Sequence, residues 1–218
     1  GKIPLSVRSL CETPLLLEML STLLENTTVN DAKLTNRSQI YAEYLEGLSL
    51  RPGSSSIPVD LRAEALEIIA YAMMKAPKLL THRELNQLAS EFQGSKVQLQ
   101  GSNPVSFQRE LLRQPPMGTP EGARGEITFM HHTFKEFYAA AYLQRHENEW
   151  TALFLKLKGG PDTAVMYWRE VLSFLSELLE SSNELFTRCV HELKLDDRKS
   201  PSVHYELATA IVQGASQI

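Results

Sequence analysis

EITFMHHTFKEFYAAAYL, residues 126–143, is where the chain changes its hydrophobic period. Ile127, Phe129 and His131 alternate with Thr128 and Met130, the two-residue repeat of a strand with one face turned inward. From Thr133 onward the spacing is helical, with Phe134, Phe137, Tyr138 and Ala141 at three- and four-residue steps. Thr133 followed by Glu136 has the form of a capping box, so the strand should pass into the helix with almost no loop. Just upstream, GTPEGARG (118–125) suits a hairpin tip. The expected fold is therefore mainly α with one small β-hairpin.

Outward from this point the signals are helical. Thr81 to Glu84 is another capping box, and Leu80 with Leu85 has the spacing of a hydrophobic staple, which places a helix over 82–92. Asn103-Pro104 opens a short helix through Leu111 and Leu112 that Pro115-Pro116 ends. Leu61, Ala65, Leu66, Ile69, Ala72 and Met73 form an earlier stripe, stopped near Pro77. Helix, helix, helix, hairpin, helix over 59–146 is the order of a winged helix. Toward the N-terminus, Thr13 is placed to cap a helix with Pro14 at its first position and Leu15, Leu16, Met19, Leu20, Leu23 and Leu24 as its stripe. Ile40, Tyr41, Tyr44, Leu45 and Leu48 repeat the pattern after Asn36, until RPGSSSIP (51–58) breaks it. Beyond Glu147 further antiparallel helices are expected: one before Gly159-Gly160, one through Trp168, Leu172, Leu175 and Leu179, one through Leu185, Cys189 and Leu193, and one over 202–213. These breaks divide the chain into 1–58, 59–146 and 147–218.

Composition narrows the function classes. The 218 residues carry 22 Lys plus Arg against 26 Asp plus Glu, a formal charge of −4 that gives no global attraction to nucleic acid or anionic lipid. Between Thr81 and Met130 five basic residues face five acidic ones, so a DNA-binding winged helix is disfavoured. Cys11 and Cys189 lack any CxxC spacing and cannot form a disulfide framework, which favours a reducing, cytoplasmic setting. No apolar run exceeds seven residues, the length of FYAAAYL from Phe137, far short of the roughly 20 a membrane span needs, so no membrane partner is expected. Starting at Gly1 and opening into a helix, the chain reads as an excised piece.

Enzyme signatures are absent: there is no GxxxxGK[ST] phosphate loop, GxGxxG, HExxH or GxSxG. Cys189 and His191, two apart on a helix, point to different faces and favour a buried structural Cys. His131-His132 has no third ligand at convincing metal spacing. His131 itself stands where a strand meets a helix N-terminus, a place that suits a phosphate, although position alone favours a His that hydrogen-bonds within its own hairpin. Both readings stay open.

TFMHHTFKEFYAAAYL (128–143) closely resembles the winged-helix signature of NACHT-type signalling NTPases, the NOD-like receptor family of innate immunity, roughly F-x-H-x-x-F-Q-E-F-x-A-A. Phe129, His131, Phe134, Glu136, Phe137, Ala139 and Ala140 match it, and Lys135 replaces the usual Gln. TPLLLEML (13–20) resembles the [NST]-P-L-x-L segment of the first helical domain, and IYAEYLEGL and YWREVLSFLSELL resemble a following helix and the start of the second helical domain. The resemblance implies helical domain 1 over 1–58, a winged-helix domain over 59–146 and the start of helical domain 2 over 147–218. It implies an ATP- or dATP-dependent switch that closes over ADP held by a NACHT core, with oligomerisation on activation. In that picture Thr13 and Pro14 lie near the adenine, and His131, as imidazolium, contacts the β-phosphate. The phosphate loop and the Mg²⁺-binding acidic motif would belong to the core, so this chain is expected to catalyse nothing alone. The isolated chain is expected to expose apolar surface near Pro14 and His131 and to self-associate. A nucleic-acid-binding winged helix and a helical protein-interaction scaffold are the alternatives.

Overall fold

The computed structural model describes residues 13–25, 36–49, 57–76, 79–85, 87–88, 110–112, 116–118, 126–195 and 202–215. Along the chain these give α1 (Pro14–Glu25), α2 (Arg37–Ser49), α3 (Val59–Lys75), β1 (Leu80–Thr81), β2 (Met117–Gly118), β3 (Glu126–Phe129), α4 (His132–Arg145), α5 (Asn148–Lys158), α6 (Asp162–Leu178), α7 (Asn183–Leu193) and α8 (Ser202–Ala215). Mainly α with a small sheet is the architecture the sequence implies. The residues fall into two compact units, one drawn from 1–44 and 140–218 and the other from 45–139.

In the second unit α3 is central, burying Ala65, Leu66, Ile69, Ala70, Met73 and Met74. The same helix also buries Arg62 and Glu67, two charges its apolar stripe did not foretell. The sheet has the order β1-β3-β2, all antiparallel, with Leu80 opposite Ile127 and Met117 opposite Phe129. Strands β2 and β3 are the expected hairpin; its tip, 119–125, lies outside the described residues. Strand β1 was not expected. Its two residues are the staple and the cap of the helical turn at 82–85, too few to show any period. That cap has the anticipated geometry. Thr81 N–H donates to Glu84 Oε2 at 2.9 Å, and Glu84 N–H donates to Thr81 Oγ1 at 3.2 Å. Leu80 and Leu85 are both buried, as the staple requires. The remainder of the expected 82–92 helix beyond residue 88, and the start of the helix at 103, lie outside the described residues.

The first unit, which also contains α1, joins the start of α2 to α6 from the far end of the chain. Residues 36–38 are the joint. Asn36 caps α2, its Oδ1 accepting the Gln39 N–H at 2.9 Å. The next orphan donor, Ser38 N–H, points at the buried Glu177 carboxylate of α6 at 2.8 Å, and Ser38 Oγ–H donates to the same oxygen at 2.9 Å. Arg37 supplies the counter-charge. Its Nη2 lies 2.8 Å from Glu177 Oε1, its Nη1 2.9 Å from Glu170 Oε2, and its guanidinium stacks 4.0 Å over the Phe174 ring. Burial opposes the charge on Arg37, but Glu177 and Glu170 together outweigh it and raise the guanidinium pKa. A carboxylate that faces a helix N-terminus and an Arg, with both oxygens satisfied, has the desolvation cost of its burial offset by these partners.

Elsewhere in this unit α6 packs along α8, α5 against α7, and α7 against α8. The close approach of α8 to α6 requires Gly214, where an added Cβ would come 2.5 Å from the Ser173 carbonyl oxygen. Trp150 of α5 donates from Nε1 to the Leu143 carbonyl at 2.9 Å, which fixes the turn out of α4. Helix α7 ends in a Schellman motif: Leu195 N–H reaches the Val190 carbonyl at 3.0 Å and Lys194 N–H the His191 carbonyl at 3.3 Å. Lys194 therefore sits at φ 54°, a left-handed position more often given to glycine. No helix of the described residues is long and apolar enough to cross a membrane.

Candidate functional site

His131 follows β3 and directly precedes α4, held there by Ile127 and Phe129, both buried, and by the Met130 N–H, which donates to the Pro116 carbonyl at 2.7 Å. The helix begins two residues earlier than the Thr133–Glu136 box implies, and the reason is the imidazole. Nδ1 of His131 accepts the Thr133 N–H at 3.3 Å and stands 2.7 Å from Thr133 Oγ1, while the His131 carbonyl accepts the Phe134 N–H at 3.2 Å. His131 is thus the cap of α4, and Thr133 lies inside its first turn.

Nδ1 is thereby engaged with Thr133, through its N–H and its hydroxyl. Burial, followed by the neighbouring His132, lowers the His131 pKa from its ordinary value, which favours the neutral ring. Nε2 has no hydrogen-bond partner among the described residues.

Strand alternation carried past β3 would put His131 and His132 on opposite faces, but their rings stack with centroids 4.4 Å apart at 28°. The chain has already turned into the helix, where alternation no longer applies. Phe134 meets the His131 ring edge-on at 6.3 Å, and Met130 is 64% exposed beside it. The surface around His131 is thus two imidazoles, an exposed thioether and the start of a 14-residue helix.

Thr13 and Pro14 belong to the other unit. Thr13 caps α1 as its sequence implies, its Oγ1 accepting the Leu16 N–H at 3.4 Å and its carbonyl the Leu17 N–H at 3.1 Å, and both residues are exposed. Three residues on, Leu17 is 51% exposed. Of the other residues weighed for chemistry, Cys189 is buried among helices of its unit, where burial pushes its thiol up to about 12. His191 on the same helix is 81% exposed. Among the described residues no group of three or more His, Cys, Asp or Glu could hold a metal ion. The Asn36–Ser38 joint with Glu177 is the polar cluster that sequence spacing did not single out. Asn36 is legible as a cap, but nothing local links it to Glu177.

No family model, no curated protein and no solved structure matches the chain.

Proposed function

We propose that the chain is the regulatory part of a NACHT-type signalling NTPase, in which residues 59–146 close over ADP held by a separate NACHT core. On this reading 1–58 and 147–218 are helical domains that relay nucleotide exchange to oligomerisation. The observation that carries it is the His131 ring held at the N-terminus of α4. Nδ1 is tied to Thr133, and Nε2, without a partner among the described residues, is the nitrogen that would donate to a phosphate oxygen beside the helix N-terminus. The exposed Met130 beside it supports a covering domain. Thr13 and Pro14 would stand near the adenine. ATP binding and any hydrolysis belong to the parent protein, because the chain has no phosphate loop.

The test is His131→Ala in the complete parent protein. A hydrogen bond to a charged phosphate contributes about 1.5 to 3 kcal/mol, so ADP dissociation should accelerate roughly tenfold to a hundredfold and basal activity should rise. The His132 ring stacks on His131 and makes His132 an unsuitable control; Met166→Ser serves instead, because Met166 is an exposed residue of α6 with no part in the hairpin or the α4 cap. Unchanged ADP release in the His131 variant, or equal change in both, would leave the helical scaffold as the better reading.

A further inference from the structure

Helix α1 buries Leu16, Met19, Leu20 and Leu23, yet leaves Leu17 and Leu24 51% and 40% exposed. Seven residues apart, the two lie on one line along the helix, about 10 Å from end to end. The next residue in each case is acidic and exposed: Glu18 and Glu25 are the only charges on α1. The outer side of α1 is thus a ridge, apolar along one edge and negative along the other.

The same unit holds a groove of opposite character. Two adjoining depressions, of about 770 and 550 Å³, share Phe186 and Val190 of α7. Phe186, Tyr205 and Val212 are 37%, 43% and 50% exposed there, and the Tyr205 hydroxyl is tied to the Leu195 carbonyl at 2.7 Å. Lys158, Lys194 and His191 line the other end. Its one acid, Glu192, is 21% exposed, so the two lysines outnumber it.

We propose that the α1 ridge of one copy docks in the α7–α8 groove of a second copy. Leu17 and Leu24 lie against Phe186, Val190, Tyr205 and Val212, and the Glu18–Glu25 edge meets Lys158 and Lys194. Charge selects this occupant: a helix whose every charge is negative matches a groove whose charged wall is net positive, and both occur on this chain. The contact is heterologous, ridge to groove, so it can continue from copy to copy unless it closes on itself. The ridge begins three residues after Pro14, and a core seated at Pro14 would cover it. Closure and self-association would then exclude each other; that link rests on the nucleotide reading, whereas the pairing itself does not.

Sedimentation velocity on the 218-residue chain tests it. The wild-type mass should rise with concentration. Leu17→Ser with Leu24→Ser, and separately Phe186→Ser with Val212→Ser, should each weaken association about tenfold or more, with unchanged circular dichroism because all four side chains are surface groups. Mixed together, the two variants retain one good groove and one good ridge and should form a heterodimer that grows no further. Glu18→Lys with Glu25→Lys should likewise pair with Lys158→Glu with Lys194→Glu better than either pairs with itself. A wild-type monomer at every concentration overturns the proposal. So does a mixture that fails to pair, or a ridge variant that associates like wild type, which would mean the groove takes another occupant.

Discussion

Arg37→Ala is the most direct probe of how the discontinuous unit is held. The substitution removes the guanidinium from Glu177, whose side chain is 1% exposed, and also from Glu170 and the Phe174 face. Removing one member of a buried ion pair typically costs 3 to 5 kcal/mol, because the remaining charge stays buried. Glu177 keeps two donors from Ser38, so the expected loss is at the lower end, about 3 kcal/mol. With a urea slope of about 2 kcal/mol/M the midpoint should fall by roughly 1.5 M. The chain has 2 Trp, Trp150 and Trp168, and both lie in this unit, so tryptophan emission reports its unfolding selectively. If Arg37 acts through Glu177, the Arg37→Ala/Glu177→Ala double variant should be more stable than the sum of the single losses by about 1 to 3 kcal/mol. Additive losses, or an Arg37→Ala midpoint within about 0.3 M of wild type, would show that the cluster does not hold the unit together.

Three further outcomes follow from particular residues. Gly214→Ala should cost about 1 to 2 kcal/mol by the same emission assay, since overpacking against Ser173 outweighs the gain in helix propensity, whereas Gly47→Ala, with nothing within 4 Å of its added Cβ, should be neutral or stabilising. Cys189, with its thiol pushed up to about 12 by burial, should be alkylated at pH 8 at least about a hundredfold more slowly in the native chain than in denaturant, read by mass spectrometry of its peptide. The lowered His131 pKa means the unfolded chain binds the proton first; the cap's contribution is complete above the ordinary pKa of about 6.5 and is lost as pH falls through the lower folded value. Amide exchange over 126–139, corrected for its intrinsic rate, should therefore quicken between pH 7 and 5, and His131→Gln should abolish that dependence.

Features whose chemistry is complete within a few residues were legible in the sequence. Thr81 with Glu84, Leu80 with Leu85, Thr13 before Pro14 and Asn36 before α2 all perform the roles their spacing announces. The stripe through Leu185, Cys189 and Leu193 is buried as a helical period requires. What failed was either too short or too distant. Two residues of β1 carry no period, and the partners of Arg37 and Ser38 lie 133 to 140 positions away. The His131 site lies between these cases. Its place at the strand–helix junction was legible, but its protonation and the His132 stack were not, because a ring nitrogen displaced the hydroxyl that the capping pattern favours.

The joint at residues 36–38 also sets an order of events during synthesis. Its α2 half leaves the ribosome first, but Glu177 is made 139 residues after Ser38, a delay of roughly 7 to 30 s at ordinary elongation rates. All of residues 45–139 emerges in that interval and forms one contiguous unit, free to fold by short-range closure. The start of α2 must meanwhile wait for α6, with the Ser38 donors and the Arg37 charge still lacking Glu177. A nascent chain stalled before residue 177 would leave this early half of the unit incomplete, so this early segment, rather than the late helices, is the one that calls for a chaperone.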